Sequence, residues 1–345
     1  MLTTVLASIL VFAFLVLIHE FGHFILAKST GMRVDEFAIG FGPRLVSYKY
    51  GGTVYSIRIV PLGGFNDIAG MDPEENDAGD RGYCEKPLLS RIVVILAGPF
   101  MNLLLPVFIF FMLFMCVGIS TPSTLPEIGD VMPDKPAAVA GLQSGDVIDR
   151  INGIDVKTWN DLTDIIVAEG NTPMNVEYHR GDEHLSTTLV PAYDKSAQKP
   201  MIGITNATEL RQPGLIEAIG YAFYKTGFVI YKMLEGLVLI FNGSAAADLA
   251  GPLGVVKMTG EVAKFGFAAL MNFAAFLSLN LGIVNLLPIP ALDGGHFATL
   301  LLEGLRGKPL SPKAFRYTQM VGISLLVLIM LFATKNDIMR IFFGS

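Results

Sequence analysis

Apolar residues gather in four long blocks along the chain, and charged residues fill the stretches between them. Met1 to Ile18 carries no charge, and the apolar run continues to Ala27. Ile92 to Ile119, Phe265 to Leu292 and Val321 to Ala333 are further charge-free runs. A bilayer core takes about 20 residues of helix. The pattern therefore predicts transmembrane helices over 1–27, 92–119 and 265–300, and a fourth within 301–345 that is long enough only if it starts near Tyr317. No basic n-region with a short apolar segment opens the chain, so the first block is read as a span rather than a cleaved signal.

Elsewhere the period changes. Val34, Phe37 and Ile39, then Leu45 to Tyr48 and Val54 to Val60 around Gly51-Gly52, predict strands and a hairpin within 28–91, followed by a polar loop at 72–85. Strand-type runs at Val131, Val147–Ile151, Met174–His179 and Ser186–Val190 predict an α+β domain over 120–197. Its helix spans 160–168, with Asn160 as N-cap and Leu162, Ile165 and Ile166 on one face. Within 198–264, the apolar stretch 214–242 is interrupted by Glu217, Lys225, Lys232 and Glu235. Lys225 and Lys232 fall on one face, which predicts an amphipathic helix lying in the membrane surface. A fifth span is the competing reading.

Composition agrees with a membrane protein. Charged residues are 16% of the chain and hydrophobic residues 52%, with a mean hydropathy of +0.54. Soluble proteins carry about 25% charge, so a disordered chain and an ordinary soluble enzyme are excluded. The net charge of −6 offers no field for nucleic acid. Cys84 and Cys116 lie in a polar loop and an apolar run, so no disulfide is expected. Basic residues concentrate in two connections, Lys28 to Arg91 and Arg306 to Arg316. The positive-inside rule puts both in the cytoplasm, with the N-terminus and residues 120–264 outside.

Two motifs carry chemistry. His19-Glu20-Phe21-Gly22-His23 is H-E-x-x-H, which puts two imidazoles on one helix face to hold a zinc ion, with Glu20 beside them as general base. Ionisable groups inside a membrane helix are costly and mark function. A catalytic zinc takes three protein ligands. Asp293, the sole acid between Glu261 and Glu303, is the expected third, and His296 is its rival. Pro288, Pro290 and Gly294-Gly295 break the helix there, which is tolerated at membrane depth only where a cavity is lined. Asn280 and Asn285 are amides at membrane depth, each able to donate and to accept a hydrogen bond. Asn102 reads as packing, and His179 and His184 as solvated.

HEFGH together with Asn285-Leu-Leu-Pro288-Ile-Pro290-Ala-Leu-Asp293-Gly-Gly-His resembles the site-2 protease family, in its RseP-like branch of bacterial intramembrane zinc proteases with a PDZ domain. The likeness covers nearly the whole chain. It implies zinc on His19, His23 and Asp293, Glu20 as base, and Asn280, Asn285, Pro288 and Pro290 in substrate binding. Gly141-Leu142-Gln-Ser-Gly145-Asp146 is similar to a PDZ stretch, with room for one such module, and size exclusion is favoured over peptide capture. The β-region implies strand addition of an extended substrate, against a plain cytoplasmic cap. Asp248 to Gly254 resembles a further family segment.

The expected fold is thus a polytopic α-helical membrane protein with four transmembrane helices, a membrane-associated β-hairpin and an extracytoplasmic PDZ domain. The resemblance implies a bacterial inner-membrane protease that cuts single-pass substrates in the bilayer, of anti-sigma type or remnant signal peptides, after a site-1 protease. The rival functions are a PDZ-bearing scaffold with structural zinc and, behind it, a metal transporter.

Overall fold

A computed structural model of the chain describes residues 2–71, 79–194, 199–243 and 251–343. Part of the predicted loop (72–78) and part of the Asp248–Gly254 stretch (248–250) lie outside them. The chain divides into two compact units, Met1–Cys116 with Gly214–Ser345, and Val117–Pro213.

The first unit begins with α1 (Leu2–Ser29), a 28-residue helix without an acid in its first turn. It ends in a Schellman turn: Met32 N–H donates to Ala27 O and Gly31 N–H to Lys28 O, with Gly31 at φ 75°. Strands β1 (Val34–Tyr50) and β2 (Thr53–Ile68) follow as an antiparallel pair. Gly51 and Gly52, at φ 55° and 83°, make the primed turn that suits strand twist.

The pair is more than the predicted hairpin. Residues 36–39 of β1 align with 54–57 of β2 and also with 64–67. The ribbon therefore doubles back, giving the order 44–50, 53–60, 34–39, 64–68. Glu36 locks the fold-back: Arg44, Arg58 (2.8 Å) and Ser56 (2.5 Å) all donate to its buried carboxylate. Arg58 also donates to Gly42 O at 2.8 Å and stacks on Phe65, 4.7 Å from the ring centre.

Helix α2 (Leu88–Val117) carries Pro99 and Pro106 inside it. Pro106 has no N–H for the Asn102 carbonyl, and Ser278 supplies the missing donor at 2.7 Å.

The second unit opens with β3 (Ile119–Pro122), β4 (Ile128–Val131) and α3 (Pro136–Val139), then β5 (Val147–Ile151), β6 (Ile154–Asp155), α4 (Trp159–Glu169), β7 (Met174–Arg180) and β8 (Glu183–Leu189). It closes with β9 (Ala192–Asp194), β10 (Lys199–Met201), β11 (Ile204–Asn206) and β12 (Thr208–Arg211). One sheet has the order β6-β5-β7-β8, while β11 pairs with β4 and β12 with β3. Ile148, Ile151, Leu162, Met174 and Val176 form its core. The N-cap of α4 is Thr158, not Asn160. Its hydroxyl accepts from Asp161 N–H while the Asp161 carboxylate accepts from Thr158 N–H, a capping box, and Asn160 is exposed within the helix. The domain also runs past the expected end at 197, because 199–211 return as strands.

The chain re-enters the first unit with α5 (Leu215–Phe241), α6 (Pro252–Ala263), α7 (Phe267–Leu286), α8 (Asp293–Arg306) and α9 (Pro312–Phe343). Among the described residues, four helices are long and apolar enough to span a bilayer: Leu6–Ser29, Leu88–Val117, Phe267–Leu286 and Pro312–Arg340. This is a multi-pass helical membrane protein, and α5 is not among the four. Within 265–300 the chain is helical as α7 and α8, with the interruption lying between Leu286 and Asp293, and the last long helix begins at Pro312, earlier than Tyr317. Asp337 of α9 accepts from Gly251 N–H (3.0 Å) and Gly254 N–H (2.7 Å) and so caps α6. Lys225 fixes α5, donating to Asn272 at 3.2 Å and facing the Phe110 ring at 4.9 Å. Close helix contact here relies on small residues and hydrogen bonds, because lipid is as apolar as a leucine side chain.

Burial raises the Glu36 carboxyl, but donation from Arg44, Ser56 and Arg58 outweighs it and holds the pKa at about 2, against 4.5 ordinarily. A depressed folded-state pKa gives stability that is present above the unfolded value and lost as pH falls through the folded one. Glu36→Gln should cost about 1–2 kcal/mol near neutral pH, less than the full shift because Arg44 is exposed and screened by solvent. It should also flatten the loss of stability between about pH 4.5 and 2, read by thermal unfolding in detergent across pH. An unchanged midpoint at pH 7 would contradict the lock.

Candidate metal centre

Helical spacing on α1 sets His19 and His23 one turn apart, and their Nε2 atoms face each other at 3.3 Å. Asp293, the first residue of α8, brings its Oδ2 to 3.1 Å from His19 Nε2 and 3.5 Å from His23 Nε2. That oxygen is buried and accepts no hydrogen bond. Zinc bonds of about 2.0–2.1 Å at tetrahedral angles put ligand atoms about 3.3 Å apart. The three separations match that edge, so the residues fit the ion. Among the described residues this is the one group of three or more such side chains with ligand atoms all within 4.8 Å.

Helix α2 fixes how the imidazoles point. His23 Nδ1–H donates to the Val94 carbonyl at 2.8 Å, which leaves its Nε2 lone pair directed inward. His19 Nδ1 lies 3.1 Å from the Asn102 amide. The amide nitrogen faces the ring and its oxygen is buried without a partner; turning the amide over would pair that oxygen with Nδ1–H and give His19 the same tautomer as His23. Gly98 makes the approach possible, since a Cβ there would stand 2.2 Å from His23 Nε2.

Glu20 is half-buried beside this group, on the wall of a cavity of about 290 Å³ that His19, His23, Asn66, Asn285 and Asp293 also line. Asn66 of β2 donates to the Glu20 carboxylate and to its backbone carbonyl, both at 2.7 Å. The carboxylate is thereby held at a fixed distance from the imidazoles, where it can take up and return a proton. Asn285 reaches 3.5 Å from His19 Nε2.

The other expected residues lie elsewhere. Asn280 is exposed on α7, because five residues turn a helix by about 140° beyond a full turn and place it off the Asn285 face. Pro288 is exposed and Pro290 half-buried, and neither is among the residues lining the cavity. Their part is in the chain path: they end α7, and Ala291 (φ 73°) turns the chain back into α8. Such a conformation is strained for a residue with a Cβ. His296 points away, with Nε2 3.0 Å from Gln319 of α9. Asn102, which by sequence reads as packing, contacts His19, and Asn66, which contacts Glu20, carries no signal in the sequence. Both act through space, and no local spacing signals them.

The family described as Peptidase family M50 matches residues 7–329. A putative zinc metalloprotease of Clostridium acetobutylicum is 36% identical, with 97% of each chain covered. The regulator of sigma-W protease RasP of Bacillus subtilis is 34% identical, covering 98% of this chain and 99% of that one. Of solved structures, the PDZ domain of an SdrC-like protein from Listeria monocytogenes is 28% identical over 26% of this chain and 93% of its own, with a TM-score of 0.22.

Gly98→Ala should weaken zinc binding about 10–100-fold, the usual cost of disturbing a ligand's support. Chelator competition on the purified chain reads this directly. Wild-type affinity in that variant would show that the His23 ring does not need the space.

Proposed function

The chain belongs to peptidase family M50 and is a zinc metalloprotease, and from that premise we propose how its residues divide the work of cutting a peptide bond inside the membrane. His19, His23 and Asp293 hold the zinc ion. When bound, zinc supplies Lewis acidity, which makes water nucleophilic at neutral pH and draws charge from the scissile carbonyl. Glu20 takes the proton from the attacking water and passes it to the departing amine. Asn66 keeps the Glu20 carboxylate aimed at the reacting atoms. The observation that carries this reading is one cavity wall in which two imidazole nitrogens and a buried carboxylate oxygen converge within 3.1–3.5 Å of one another next to a tethered carboxylate. Three ligands leave a fourth position for water or substrate, which favours catalysis over a sealed structural site.

The substrates are single-pass membrane proteins that enter from the lipid. Their helix must unwind before a carbonyl is accessible, and the freed backbone groups need partners at once, since lipid offers none. Residues 64–67 of β2 pair on one side with 36–39, and their outer edge leads to Asn66 beside Glu20. A substrate strand added there regains its main-chain bonds. Asn285 holds the substrate backbone close to the metal. Asn280, Pro288 and Pro290 assist by shaping the route along α7 rather than by lining the cavity.

In the cell, the protein sits in the bacterial inner membrane, with its N-terminus and second unit on the extracytoplasmic side. It acts after a site-1 protease has shortened the substrate there. The second unit, a PDZ module by its sequence motif, excludes substrates that still carry a bulky domain. Anti-sigma factors and remnant signal peptides are the two substrate types of the right form.

Glu20→Gln should lose about 10²–10⁴-fold in cleavage of a membrane-anchored reporter while keeping its zinc. Substantial activity in that variant would overturn the assignment. Asn285→Leu should retain zinc and cut about 5–10-fold more slowly, the worth of one hydrogen bond near 1 kcal/mol. Both are read in liposomes by product accumulation alongside elemental analysis.

A further inference from the structure

We propose that Arg91 and Glu303 are positioning residues of the metal centre, whose ion pair fixes where Asp293 meets the two imidazoles. The inference rests on the reading of Asp293 as the third ligand. The pair joins the start of α2 to the end of α8. Arg91 Nη1 donates to Glu303 Oε2 at 2.9 Å and Nη2 donates to Oε1 at 2.5 Å, a two-pronged contact. The side chains are 10% and 16% exposed, so water competes little for either. The remaining edge of the guanidinium is engaged as well. Its Nε donates to Lys86 O at 3.1 Å, and its central carbon lies 6.0 Å from the centre of the Tyr83 ring. These contacts leave Arg91 one orientation, fixed relative to α2.

Its place along α2 gives the pair a bearing on the metal. Arg91, Val94, Gly98 and Asn102 are spaced by three, four and four residues and share one buried face of the helix. Val94 accepts from His23, Gly98 makes room for the His23 ring, and Asn102 meets His19. Arg91 continues the same stripe toward the helix start. Through Glu303 it holds the helix that carries the remaining ligand. One face of α2 therefore refers all three ligands to a common frame, the imidazoles by direct contact and Asp293 through α8.

Asp293 needs that reference. Helix α8 is a separate 14-residue element, and the turn that feeds it holds Ala291 at φ 73°. Asp293, His296, Leu300 and Glu303 lie on one of its faces, spaced by three, four and three residues. His296 lies 3.0 Å from Gln319 of α9, and Leu300 packs in one cluster with Val94 and Ile95. Apolar packing is non-directional and leaves sliding and tilting of the helix open. The fork-on-carboxylate contact adds the missing direction. Close approach supports it, since a Cβ at Gly304 would stand 3.0 Å from Leu88 of α2. Ten residues separate Glu303 from Asp293, a lever of about 15 Å. A tilt of about 5° at the Glu303 end would move the Asp293 carboxylate by about 1.3 Å. A metal site tolerates only about 0.2 Å in its bond lengths.

The test uses Arg91→Lys and Glu303→Asp in the full-length chain in detergent, because each keeps its charge and loses the two-pronged geometry. Both should bind zinc about 10-fold more weakly in chelator competition, the usual cost of disturbing a ligand's support. Cobalt in place of zinc should show a shifted visible absorption band in both, since its ligand field reports where the carboxylate stands. In liposomes, kcat for a membrane-anchored reporter should fall about 10-fold at unchanged KM. The double variant should bind zinc no more weakly than the weaker single variant, because both changes remove one contact. Asp293→Asn separates the two readings: wild-type zinc affinity in that variant defeats the ligand assignment and this proposal with it. Zinc lost in Asp293→Asn, but wild-type affinity and an unshifted cobalt band in Arg91→Lys and Glu303→Asp, overturns this proposal alone. A lowered unfolding midpoint with unchanged metal binding also overturns it and marks the pair as purely structural.

Discussion

Three lone pairs that point at one another inside a helical bundle repel unless a cation lies between them, and much of the first unit can be understood as the means of holding them there. The imidazoles come cheaply, from one turn of α1. The carboxylate does not. Asn285 on α7 already lies 3.5 Å from His19. If α7 ran on unbroken, residue 293 would stand about 12 Å farther along its axis. Pro288 and Pro290 stop the helix, Ala291 adopts a left-handed turn, and α8 starts with Asp293 brought back to the imidazoles. The turn also needs a partner without a side chain on α9: a Cβ at Gly322 would stand 2.0 Å from the Pro290 carbonyl.

Helix α2 supports the other side of the centre, and one of its internal prolines, Pro106, takes part. Proline removes a donor that a lipid environment cannot replace. At Pro106 the deprived carbonyl, that of Asn102, is taken up by Ser278 of α7. The same Asn102 presents its amide to His19. One residue therefore joins α1, α2 and α7 around the centre, through its backbone on one side and its side chain on the other. Small residues complete the arrangement, since Gly98 admits the His23 ring where any larger residue would displace it.

What the sequence made legible was local. The i, i+4 spacing of His19 and His23, the charge-free spans, the Gly51-Gly52 turn and the break before Asp293 are all readable within a few residues. Contacts that depend on distant segments were not. Asn66 and Asn102 have no periodicity to mark them, and the fold-back of β1 and β2 depends on Glu36 meeting Arg44 and Arg58. Thr158 displaced Asn160 as a cap because a reciprocal partner, Asp161, lies three residues on. Asn280 was legible only through the family resemblance, and helix geometry sets it on a different, exposed face of α7 from Asn285.

The membrane setting also explains why a sheet belongs next to this centre at all. A transmembrane helix presents no free carbonyl, and unwinding it in lipid exposes donors and acceptors at several kcal/mol each. A site that met the substrate only with apolar walls would leave that cost in the transition state. An edge strand meets it residue by residue, because every second main-chain group along 64–67 faces outward for pairing. Asn66 occupies that strand and holds Glu20 at 2.7 Å. On the proposed reading, substrate capture and proton transfer are therefore set by one short segment, and a shift of its register would misplace both. The Glu36 lock, which ties that segment to the rest of the sheet through Arg58 and Phe65, is the structural element that resists such a shift.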